Sequence, residues 1–371
     1  MKKLFALVLA LTLALTAAAT AETAINGTES RGIVLCDVED NEEIEGVSPT
    51  TGRTLADIEV PDGFAGLAAT GRYMPMLVQI DNADGGVGYR APWNLAYADI
   101  IYETPLYLTS KEHHSVETRL SALFSDLIPD EVGPLRSARM GHAMIREEWD
   151  CGFMYYGQQE YEGTNVVEYF ASTGADKKGV LFSGTSGHSY KEYIYARAGL
   201  AAPHDKGCNL AMLASLIPES HTARSHVSLF TTEVPEGDAA TEIFVNWNFE
   251  DYNSRLVYDA ETGLYSRYML DGSNNATLYT DYTTGDAITF ANVIIQWTQV
   301  DWPRVDAPYA NMIGEGNADF FMAGVHVSGY WKRESTESRT VFYDADGNEM
   351  EFQVGTSLIV TMPLEHTVSY Q

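Results

Sequence analysis

Apolar residues first appear as one block near the start of the chain. Leu4 to Leu15 is interrupted only by Thr12, follows Lys2 and Lys3, and precedes Ala19-Thr20-Ala21. A positive start, a short apolar core and a small-x-small end describe a secretory signal peptide over residues 1–21, cut before Glu22. The core is shorter than the roughly 20 residues of a spanning helix, and no positive stop follows it. A membrane anchor is therefore not expected. Residues 22–70 lose periodicity. Asn41 to Gly46 and Pro49-Thr50-Thr51-Gly52 are polar and turn-forming, so a flexible leader is expected there.

From Met74 onward short apolar runs alternate with turns. Met76 to Ile80, Asp99 to Glu103, Arg119 to Phe124 and Gly152 to Tyr156 read as strands, and Val132 to Ser137 reads as a return strand. Met140, Met144, Ile145 and Trp149 recur at helical spacing and predict a helix over 138–149. A second helix contains Val166, Val167, Tyr169 and Phe170 and stops at Gly174. Residues 218–240 look like a linker. Beyond them β-branched and aromatic runs dominate, at Ile243 to Val245, Arg255 to Tyr258, Tyr265 to Tyr268, Val293 to Trp297 and Thr340 to Tyr343. The expected fold class is α+β: an N-terminal layered α/β domain over 71–217, then a smaller, mostly antiparallel β-rich domain over 241–371.

Composition narrows the class of partner. The net charge is −29, and loss of residues 1–21, with two lysines and no acid, makes it −31. So acidic a chain repels phosphate backbones and anionic lipid, which disfavours nucleic acid and bare membrane. Cys36, Cys151 and Cys208 are too few for a disulfide scaffold and contain no C-x-x-C pair. Either a 151–208 bridge or buried reduced thiols fit this spacing.

The densest chemistry lies between residues 99 and 139. Asp99 and Glu103 bring carboxylates, and Arg119, Arg136 and Arg139 bring three guanidinium groups in a chain poor in cations. If the Arg119 strand pairs with the one ending at Arg136, their ends converge, and Arg139 falls in the first turn of the next helix. Planar guanidinium forks beside a helix start suit a phosphate or carboxylate. An internal network of these arginines with Asp99 and Glu103 is the competing reading. His204, after Ala202-Pro203, is a loop imidazole that fits either a base or a turn.

Other patterns carry less. Glu112-His113-His114 with Glu117 lacks a third ligand at metal spacing. Gly184 to His188 misplaces the second glycine of a nucleophile elbow. Asp344 to Gly347 lacks the spacing of a calcium loop, and Gly314-Glu315-Gly316, without a following Lys-Ser/Thr, reads as a turn. No metal or cofactor is expected.

Several segments, in order, resemble the YerB-like family of envelope lipoproteins. They are Val78-Gln79-Ile80-Asp81-Asn82, Ala98 to Glu103, Thr118-Arg119-Leu120, Val132 to Arg139, Ala202-Pro203-His204, Asn292 to Ile295, Gly314 to Gly316, Gly329 to Arg333 and Asp344 to Asn348. The resemblance covers residues 50 to 370. It implies a two-part extracytoplasmic protein and no particular activity. Many relatives carry a lipid-attachment cysteine at the signal cleavage site, and this chain has none there. The expected function is a secreted or wall-associated binding or accessory protein, with an anionic envelope ligand or another envelope protein as partner. The alternative is an enzyme processing phosphate esters or pyrophosphates with the arginine cluster, an order of parts that also resembles the LytR-type glycopolymer transferases.

Overall fold

The computed structural model describes residues 22–371 apart from 111–114, 186–189 and 305. It is strand-rich, and its largest sheet has eleven strands. Across that sheet the strands run Asp238–Ala239, Val325–Arg333, Gly314–Met322, Asn292–Thr298, Ser357–Pro363, Ile100–Ser110, Ser115–Phe124, Met76–Ile80, Gly152–Tyr155 and Leu181–Ser183. Val341–Tyr343 pairs on Val325–Arg333. The sheet is continuous across residues 218–240, because Ser357–Pro363 lies parallel to Ile100–Ser110 with Ile359 opposite Tyr102.

A second, seven-stranded antiparallel sheet includes Glu242–Asn246, Ser254–Asp259, Leu264–Leu270 and Thr367–Tyr370. Strand alternation assigns the faces of the large sheet. Val78, Ile101, Leu120, Val293 and Val360 pack with Ile243, Leu256, Tyr265 and Val368 of the second sheet. The opposite face, with Leu77, Tyr102, Leu123, Ile294 and Ile359, is covered by Met144, Ile145 and Trp149 of the Met140–Trp149 helix and by Phe170 of the Val166–Thr173 helix. Gly174 ends the second helix with a φ of 76°, a left-handed turn that glycine adopts without steric cost.

Asp259 to Gly263 turns the Ser254–Asp259 strand back into Leu264–Leu270 as a hairpin. Two expectations need correction. Gly314-Glu315-Gly316 is the start of the Gly314–Met322 strand, where Gly316 passes Trp331 too closely for a side chain. The Val132 to Ser137 segment forms isolated bridges and does not pair with the Arg119 strand. The Met76–Ile80 strand lies between them, with Ile80 opposite Leu120 on one side and Leu135 on the other.

The leader carries defined contacts. Thr23–Ile25 pairs with the Thr367–Tyr370 strand, and Arg31 meets the buried Asp319 at 2.7 Å. The three cysteines are unpaired, with Cys151 and Cys208 buried in different cores. Burial pushes the Cys151 thiol up to about 12. Among the described residues no helix is long and apolar enough to cross a membrane.

Candidate functional site

The strands Met76–Ile80, Ile100–Ser110, Gly152–Tyr155 and Leu181–Ser183 all run the same way, with the antiparallel Ser115–Phe124 among them. Their carboxyl ends therefore share one edge, the usual place for ligands in sheets of this kind. Asp81 follows the first of these strands directly, and Arg119 sits opposite Thr104 of the second.

All three predicted arginines reach this edge. Arg119 is only 6% exposed and donates from Nη1 to the Ser137 carbonyl at 3.0 Å. Arg136 places Nε 3.1 Å from Asp81 Oδ1 and reaches toward the Pro203 carbonyl at 3.5 Å. Arg139 donates from Nη2 to the Tyr107 hydroxyl at 3.2 Å and from Nη1 to the Ala138 carbonyl at 3.1 Å. It is the residue preceding the helix, in extended conformation, and the helix proper begins at Met140. Burial and the charges of Arg139 and Arg136 push Arg119 down to about 9, only partly opposed by Asp81. Among the described residues Arg119 and Arg139 have no carboxylate within ion-pair distance, and the Nε of each is buried without a hydrogen-bond partner.

His204 also belongs here. Its Nδ1 donates to Asp81 Oδ2, so Asp81 is shared between the imidazole and Arg136. Despite burial, Arg136, the His204 hydrogen bond and the Ala83 N–H hold the Asp81 carboxyl below its usual range. Asp81 stands in the sequence only as the end of a strand, within the Val78 to Asn82 segment of the family resemblance, and not among the candidate site residues. His142, likewise unsignalled, accepts from the Arg139 N–H at Nδ1 and stands 3.1 Å from the Thr104 hydroxyl through Nε2. Burial and the nearby Arg119 and Arg139 hold it well below the usual histidine range, so it stays neutral.

The two predicted acids lie elsewhere. Glu103 faces the opposite side of the sheet from Arg119, since adjacent strand positions alternate and Thr104 is the partner of Arg119. There it forms a fully buried pair with Arg267 at 2.7 Å and accepts from the Thr118 hydroxyl at 2.7 Å. Asp99 accepts from the N–H of Asp126 at 2.9 Å and the Ser125 hydroxyl at 2.8 Å, fixing the end of the Ser115–Phe124 strand. Burial, reinforced by Asp126, raises the Asp99 carboxyl well above its usual range. An internal network of the three arginines with Asp99 and Glu103 is thereby excluded.

Glu112, His113 and His114 lie outside the described residues, as do Ser186 to His188 of the glycine-serine segment. Among the described residues no group of acids, histidines and cysteines is arranged to hold a metal ion.

Comparison with known proteins places this chain in a family. The chain is 25% identical over 189 residues to a Bacillus subtilis (strain 168) protein named "Putative lipoprotein YerB". That match spans about half the length of the relative, 51%, and 48% of this chain. The crystal structure of YerB from the same organism superposes with a TM-score of 0.66 over 88% of this chain and 99% of that one, at 19% identity, and so shares the fold. The N-terminal domain model of the protein family of unknown function DUF3048 matches residues 64–222, and its C-terminal domain model matches residues 243–359. The chain belongs to the DUF3048 family.

Proposed function

We propose that this is an extracytoplasmic binding or accessory protein of the cell envelope, without catalytic activity, that holds an anionic ligand at Arg119, Arg136 and Arg139. One observation carries the reading: Arg119 is buried beside two like charges with no carboxylate of its own. Burying an uncompensated charge costs several kcal/mol, and an anion at the sheet edge would supply the missing partner. The name of the similar protein and the signal-like residues 1–21 support an envelope location.

The His204–Asp81 contact favours a second reading, a phosphate-ester or pyrophosphate-processing enzyme. A carboxylate-oriented imidazole beside guanidinium groups is equipped for proton transfer. One assay separates the two. The full chain is incubated with purified wall and membrane fractions, then with a pyrophosphate ester and Mg²⁺. Retention that free phosphate competes away, without ester turnover, supports binding. Turnover that Arg139→Gln abolishes supports the enzyme. Neither retention nor turnover contradicts both.

A further inference from the structure

The Val132 to Ser137 segment borders a cleft that has no part in the ion-pair geometry above. Tyr156, Gly184, Ile194, Tyr195, Ala196 and Lys206 line an open cleft of about 320 Å³. The cleft is joined to the arginines through the backbone. The Tyr156 N–H donates to the Arg136 carbonyl at 2.8 Å, and the Leu135 N–H donates to the Lys206 carbonyl at 2.8 Å. The Ser137 hydroxyl, next to the carbonyl that Arg119 binds, donates to the Tyr156 carbonyl at 3.1 Å. Gly184 admits the Tyr156 ring, which passes 2.4 Å from where a side-chain carbon at that position would be. A serine or alanine there would displace the ring. Acceptors stand at the borders: Glu131 binds the Tyr195 hydroxyl at 2.8 Å, and Asp205 binds Lys206 Nζ at 2.8 Å.

Charge selects the anion. Three guanidinium groups face one carboxylate, Asp81, so among the described residues the cluster keeps two positive charges in excess. A carboxylate or a phosphodiester brings one negative charge. A phosphate monoester brings close to two at neutral pH, plus three acceptor oxygens for the guanidinium forks. The neighbouring tyrosines and acids select the rest of the molecule. Aromatic rings offer flat apolar contact, and carboxylates at the border accept from hydroxyls. We infer that the ligand is a sugar phosphate, its phosphate monoester on Arg119, Arg136 and Arg139 and its ring in the Tyr156–Tyr195 cleft. This rests on the anion-binding reading above.

Calorimetric titration of the full chain tests it with five probes: inorganic phosphate, glucose 1-phosphate, glucose, glucuronate and adenosine monophosphate. Glucose 1-phosphate is expected to bind at least tenfold more tightly than phosphate, with glucose and glucuronate far weaker. Tyr156→Ala should shrink the ratio of the first two affinities toward one. Arg139→Gln should weaken both at least tenfold; Arg119→Gln is the harsher variant, and a melting curve checks that each variant is folded. Equal affinity for phosphate and glucose 1-phosphate overturns the sugar assignment and leaves the anion reading intact. So does tighter binding of adenosine monophosphate, or a ratio unchanged by Tyr156→Ala. Glucuronate binding as tightly as glucose 1-phosphate overturns the phosphate assignment alone. No binding of any anion, or binding indifferent to Arg139→Gln in folded protein, overturns both readings.

Discussion

Two arginine environments occupy opposite faces of one strand pair, and they are built differently. On the face toward the second sheet, Glu103 and Arg267 are both fully buried, 2.7 Å apart, with Arg267 over the Tyr279 ring at 5.1 Å. Charge is matched one for one. On the other face, among the described residues, only Arg136 of the three arginines meets a carboxylate, Asp81, which is also engaged by His204. The first arrangement has its charge balanced within the chain, although Arg267 Nε and Nη1 are buried without hydrogen-bond partners, and has the character of a fold determinant. The second is left with excess charge at a sheet edge, where an external anion can complete it. A group of arginines is therefore informative about binding only when its counter-charges have been located.

The largest effect should come from breaking the matched pair. Arg267→Met leaves Glu103 charged and buried, and is expected to cost about 3–5 kcal/mol in urea unfolding. The double variant Glu103→Gln with Arg267→Met should recover much of that loss. If the single variant is neutral, the two faces do not differ as described. Asp81→Asn comes next. It removes the carboxylate that binds Arg136 and His204, and charged hydrogen bonds of this kind contribute about 1.5–3 kcal/mol. Because the Asp81 pKa is lowered on folding, its contribution is present above its unfolded value and is lost as pH falls through the folded one. The wild-type minus Asp81→Asn stability difference should therefore shrink in acid.

His142 provides a smaller, pH-resolved test. Its pKa is lowered on folding, so the folded state binds fewer protons than the unfolded state below pH 6.5. Stability from this group is complete above that value and declines as pH falls, by about 1.4 kcal/mol per pH unit until the folded pKa is reached. His142→Asn should flatten that slope between pH 6.5 and 5 in chemical unfolding. An unchanged slope would mean that the imidazole is not held neutral beside Arg119 and Arg139.

Much of this architecture was readable from local pattern. Met76 to Ile80, the helix ending at Trp149 and the second helix with its glycine stop follow from period and punctuation, which short-range sterics determine. The arginines were found because cations are scarce in this chain, and two of them flank a recognisable strand-to-helix turn. What the pattern could not supply was long-range register. Glu103 is a candidate partner for the arginines in the sequence because it is a carboxylate on a strand close to them along the chain. A one-residue difference in register reverses the face of a side chain, and pairing Thr104 with Arg119 turned Glu103 toward Arg267, 164 positions away. The insertion of Ser357–Pro363 beside Ile100–Ser110 is a pairing of the same non-local kind. Asp81 was hidden for another reason: a single aspartate at a strand end is ordinary turn chemistry until a distant loop brings His204 to it.

The central claim is that the arginine cluster lacks a partner which an anion supplies. Paired thermal melts of the parent and of the Arg136→Gln/Arg139→Gln double variant, each with and without excess phosphate, test it most directly. Without phosphate the variant should lose only what the Arg136–Asp81 pair contributes, about 1.5–3 kcal/mol, because Arg139 has no carboxylate partner among the described residues. Phosphate at a hundredfold excess over its dissociation constant should stabilise the parent by about 2.7 kcal/mol, raising its midpoint, and leave the double variant unmoved. No phosphate effect on the parent, whatever the variant's midpoint, would contradict the account and make the cluster a structural element of the fold.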